Sequence, residues 1–134
     1  MITEETYRNL LHDIEDYFID DAADAKKHVK EAPEEPFSQG EASAYQEVLI
    51  WMRKPVDDDV SGYRSRTIAL GKMLRENALG VKDACQKGER DLFKRGQLLS
   101  YYSMIKWLQQ QAAMLGIPLD EIHLGDIAPD RDLL

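Results

Sequence analysis

His12, Asp16, Asp20, Asp24 and His28 follow one another at four-residue intervals. On a helix that spacing stacks side chains along one flank, and His with Asp one turn apart can chelate a divalent metal ion. The direction of the flank opposes such a site. At 100° per residue the apolar stripe of the same segment centres near Leu11 and Phe18, and His12, Asp16 and Asp20 point the other way. Metal-binding carboxylates of helical bundles project inward. The flank therefore reads as a solvated face, and no metal or other cofactor is expected.

Carboxylates three apart offer a second chemistry. All-α nucleotide pyrophosphohydrolases hold magnesium with such pairs on neighbouring helices, and here the pairs are Asp13 with Asp16, Asp21 with Asp24, and Glu31 with Glu34. This enzyme class is kept as the alternative function, beside a metal-binding bundle. Nucleophilic catalysis lacks its parts: there are three histidines, no Gly-x-Ser-x-Gly, and a single cysteine, Cys85, at an apolar position. No Gly-x4-Gly-Lys-Ser/Thr or Gly-x-Gly-x2-Gly is present for phosphate. The basic residues Arg64, Lys72, Arg75 and Lys82, with Lys94 and Arg95 nearby, lack interleaved aromatics and read as a solvated or internally paired face.

These residues sit on helices. Tyr7, Leu10, Leu11, Ile14, Tyr17, Phe18, Ala22, Ala25 and Val29 recur in steps of three and four, with Thr3 as N-cap and Pro33 and Pro36 forbidding continuation. Ser38 to Glu41 has the form of a capping box and predicts the start of a second helix, which Lys54-Pro55 and Asp57 to Asp59 close. A third helix is predicted over about 60–86 and a fourth over about 91–115, stopped by Gly116 and Pro118. A helical turn over 119–124 and an irregular tail over 125–134 follow; the tail could be a lid, a docking peptide or frayed.

A shift of 56 residues aligns the chain with itself. Tyr7 falls on Tyr63, Ala22 on Ala78, Phe37 on Phe93, Gly40 on Gly96, Tyr45 on Tyr101 and Trp51 on Trp107. The pairing predicts a duplicated αα-hairpin, residues about 3–53 and 59–115, packed as one antiparallel four-helix bundle with a C-terminal extension over 116–134. Gly40 and Gly96 then imply close helix crossings, and Phe37 and Phe93 a staple at the start of each second helix. The carboxylate pairs are not repeated: Ala69 and Lys72 stand where Asp13 and Asp16 would fall.

The chain has 134 residues and a formal charge of −8, a length suited to one domain. Residues 1–59 carry 16 acids and 6 bases, a net −10; residues 60–116 carry 4 and 10, a net +6; residues 117–134 carry 5 and 1, a net −4. Attraction between the hairpins is the plain expectation, and a partner surface the sharper one. An acidic chain is poorly made for nucleic acid. With no run of 18 apolar residues and no basic-then-apolar N-terminus, a soluble cytoplasmic protein is expected and a membrane is not. The function expected is non-catalytic: an acidic helical module that binds another protein, as an adaptor, regulator or inhibitor, in the size and charge range of toxin-neutralising immunity proteins. The partner is expected to be basic and to meet Asp16, Asp20 and Asp24. Trp51 and Trp107, at the edges of the broad apolar stripes, are the expected anchors of a homodimer.

Overall fold

A computed structural model describes residues 2–54, 62–87 and 91–134. Within them the chain is helical, without a strand: α1 Glu4–Glu31, α2 Pro36–Arg53, α3 Tyr63–Gln86, α4 Leu92–Met114, a 3-10 turn Leu119–Ile122 and a last short helix, α5, Pro129–Asp132. The predicted boundaries hold to within a few residues, except that Val60 and the acidic turn Asp57 to Asp59 lie outside the described residues. Thr3 caps α1 as expected, its hydroxyl accepting from the Thr6 N–H while the Thr6 hydroxyl accepts from the Thr3 N–H. The second helix starts three residues earlier than the capping-box pattern implies: Glu35, not Ser38, is the N-cap, and Ser38 is a buried residue inside the helix. The physical reason is Pro36, whose fixed φ and missing N–H suit the first helical position.

The four long helices form a four-helix bundle of two antiparallel hairpins. α2 packs most extensively on α4, α1 on α2, α3 on α4, and α1 on α3. The hairpins lie side by side in the same sense, so α2 and α4 begin at one end. There a Cβ built on Gly40 would stand 1.9 Å from the Phe93 carbonyl oxygen, and one on Gly96 would stand 2.0 Å from that of Phe37. The two contacts exchange under the 56-residue shift. So do two buried tyrosines: Tyr45 donates to Asp21 at 3.1 Å, and Tyr101 meets Asn77, 56 positions after Asp21, at 3.4 Å. Between them Phe18, Leu70, Leu74, Val48, Met104, Ile105 and Leu108 fill a core closed to solvent.

At the opposite end the hairpins are joined by helix termini. Glu4 of α1 accepts from the backbone N–H of Tyr63 at 2.7 Å, placing a carboxylate where the α3 dipole favours an anion. Arg66 of α3 donates to the carbonyls of Trp51, Met52 and Lys54 and satisfies the exposed end of α2.

The segment after α4 is a packed lid. Ile117, Ile122, Leu124, Ile127 and Leu133 are buried with the bundle core. Gly71 permits the approach, since a Cβ there would stand 1.9 Å from the Ile122 carbonyl oxygen, and Gln109 donates to the carbonyls of Leu124 and Ile127. Residues 125–134, expected to be irregular, hold α5 and a buried leucine.

Candidate interaction surface

The α1 periodicity turns its apolar stripe inward and leaves the opposite flank in solvent. His12, Asp16, Asp20, Asp24 and His28 are all exposed. Along one helix His12 and His28 are about 24 Å apart, so the five side chains cannot converge on one ion. Among the described residues no group of three His, Cys, Asp or Glu side chains is placed to hold a metal. The carboxylates three apart do not face one another across helices either. Asp13, Asp16, Asp24, Glu31 and Glu34 are exposed. Asp21 alone is half-buried, and it is engaged by the Tyr45 hydroxyl. Partial desolvation raises its carboxyl above the usual range, against the lowering effect of that hydrogen bond, with smaller contributions from Asp24 and Asp20.

Charged groups link the two hairpins at helix ends, through Glu4 and Arg66. Among the described residues no ion pair joins the acidic hairpin to the basic one. Three cations of α3 and α4 turn to the acidic tail: Arg64 to Glu121 at 3.5 Å, Arg75 to Asp126 at 2.7 Å, Lys106 to Asp130 at 3.3 Å. The tail follows α4 directly and lies along α3 and α4, whereas the α1 flank faces outward. Asp16, Asp20 and Asp24 consequently have no cationic partner among the described residues.

The two tryptophans occupy different surroundings. Trp107 is stacked on Tyr17, with ring centroids 4.3 Å apart and planes 7° from parallel, and Phe18 lies beside it. Trp51 carries the Arg66 guanidinium 4.7 Å from its ring centre. It also lines an open groove of about 480 Å³ between α2 and α3, with Ile50, Glu47 and Lys54 from α2 and Met73 and Asn77 from α3 among its walls. The Tyr101 hydroxyl, from α4, reaches between Glu47 and Asn77, 3.4 Å from each; burial first, then the charge of Glu47, pushes it up to about 12. Ile50 is 53% exposed. Of these wall residues only Trp51 stands out by composition. The 56-residue register holds a signal for two others, since Met73 replaces Tyr17 and Asn77 replaces Asp21.

No helix among the described residues is long and apolar enough to cross a membrane. Compared with protein-family models, with curated proteins and with solved structures, the chain matches none.

Proposed function

We propose that this chain is a non-catalytic protein-interaction module, an adaptor, regulator or inhibitor, whose first hairpin receives a basic partner. One observation carries the reading. Three bases of the second hairpin, Arg64, Arg75 and Lys106, are engaged by the chain's own tail, while the exposed carboxylates Asp16, Asp20 and Asp24 of α1 have no cation of their own among the described residues. Unpaired surface charge of one sign steers encounter with the opposite sign and selects among partners, at rates that fall with salt. Affinity capture with the full chain, side by side with the Asp16→Lys, Asp20→Lys, Asp24→Lys triple variant, tests it. A partner held by the native chain and released by the variant or by raised salt supports the reading. Partners held equally by both defeat it.

The homodimer is the second reading, favoured by the exposure of Ile50 beside Trp51. Sedimentation of the native chain and of Ile50→Lys distinguishes it: a dimer that Ile50→Lys dissociates supports it, and a monomer at all concentrations removes it.

A further inference from the structure

A pocket of about 430 Å³ lies where the starts of α2 and α4 meet the last turns of α3 and the end of the tail. Leu98 and Leu133 are buried in its wall and Phe37 is half-buried, whereas Leu99 and Leu134 leave hydrocarbon in contact with water. The charge of the lining has one sign: Lys82 and Arg95 are present, and no acidic side chain of the described residues is. Lys82 gives one hydrogen bond to the backbone oxygen of Leu134, at 3.0 Å, and its ammonium has further N–H groups to offer. Arg95 is exposed and joins no ion pair among the described residues. The nearby acids are turned to other bases, Asp83 to Lys87 and Asp91 to Lys94. Counting the Leu134 oxygen fully against Lys82 still leaves Arg95 uncompensated.

The 56-residue register separates what the fold needs here from what it does not. Phe37 has its counterpart in Phe93, and Lys82 in Lys26, so both hairpins carry these residues. Arg95, Leu98 and Leu99 fall instead on Gln39, Ala42 and Ser43. Gln39 closes on its own turn, donating to the Pro33 carbonyl at 2.6 Å. The first hairpin therefore folds without a cation and two leucines at these places. Apolar walls with a few polar groups, at this volume, suit a small organic ligand, and a guanidinium matches a carboxylate in charge and in shape. We propose that the pocket binds a free amphipathic carboxylate, an unbranched hydrocarbon chain of medium length, with the chain against Leu98, Leu99 and Leu133 and the carboxylate against Arg95 and Lys82. The site lies away from the acidic flank of α1 and does not rest on the reading of that flank.

Calorimetric titration of the full chain with decanoate, kept below micelle-forming concentrations, should give saturable binding. Octanoate, shorter by two methylenes, should bind about tenfold more weakly. Decyltrimethylammonium, with the same chain and the opposite charge, should not bind. Arg95→Gln and Leu99→Ser place the first hairpin's residues at exposed positions, and each should weaken decanoate about fivefold. Cys85, half-buried in the pocket wall and the chain's single cysteine, reports the location. Saturating decanoate should slow its reaction with an aromatic disulfide. Absence of saturable binding, equal binding of the ammonium, an affinity unchanged in both variants, or an unprotected Cys85 overturns the proposal. Binding to phosphatidylglycerol vesicles without binding of free decanoate also overturns it, since the face would then be a membrane contact.

Discussion

Gly40 lies directly under the carbonyl of Phe93, with no room between them for a methyl group. The crossing of α2 and α4 is therefore set by backbone meeting backbone, and the reciprocal contact of Gly96 with Phe37 repeats it. Gly40→Ala and Gly96→Ala should each destabilise the bundle by about 1–3 kcal/mol, since neither carbonyl can move without its helix. Gly80 is the control, in the interior of α3 with nothing within 4 Å of a built Cβ. Gly80→Ala should stabilise by about 0.5–1 kcal/mol through helix propensity alone. Urea unfolding of the three variants checks both signs, and a harmless Gly40→Ala would refute the tight crossing.

That crossing was legible in the sequence because the two glycines share a register with two phenylalanines and no helix keeps an interior glycine without a cost. The helices were legible for a similar reason, as each buries one stripe at 3.6-residue spacing. Two things were not. The start of α2 competes between Pro36 and Ser38, and a local pattern does not say which backbone geometry prevails. The partners of the basic residues depend on where the tail lies, and its buried positions Ile122, Leu124, Ile127 and Leu133 are too irregularly spaced to announce a face. The groove at Trp51 has walls from both α2 and α3, which come together only once the two helices are side by side.

The tail is held by its apolar residues more than by its ion pairs. Leu124 is fully buried, whereas the Arg75 and Asp126 side chains stay 34% and 65% exposed. Leu124→Ala should cost about 2–5 kcal/mol. Arg75→Met should cost far less than Leu124→Ala, and its cost should shrink at high salt. Denaturant midpoints at low and high salt measure both; a larger loss from Arg75→Met than from Leu124→Ala would reverse the assignment.

Acid should loosen the tail before the bundle. Arg75 holds Asp126 below the usual carboxylate range, Tyr102 and then Lys106 do the same for Asp130, and Arg131 with the Ala128 N–H brings Asp132 down to about 2. A carboxylate with a depressed pKa in the folded chain adds stability that is present above its unfolded value, 3.8, and lost as the pH falls through the folded one. Contributions from these three groups therefore begin to fade as the pH falls below about 4, and that of Asp132 persists until about pH 2. Backbone NMR signals of residues 117–134 should shift and broaden in that window while those of Tyr45 and Tyr101 persist. Simultaneous loss of both sets would show that tail and bundle unfold as one.

Asp21 carries the opposite sign. Desolvation raises its carboxyl, so folding favours the protonated form, and the penalty for ionising it appears as pH rises through the unfolded and then the folded pKa. Position 77, its counterpart 56 residues on, holds asparagine against Tyr101, with the same shape and no charge. Asp21→Asn should keep a hydrogen bond to Tyr45 by turning the amide oxygen to the hydroxyl, and should remove repulsion from Asp20 and Asp24. Because Asp21 is only half-buried, the gain at pH 7 should be modest, about 0.5 kcal/mol, and it should vanish near pH 3, where native Asp21 is protonated in both states. Urea unfolding of the native chain and Asp21→Asn at both pH values decides the matter. A variant less stable than the native chain at pH 7 would mean that the charged hydrogen bond to Tyr45 outweighs the cost of desolvating Asp21.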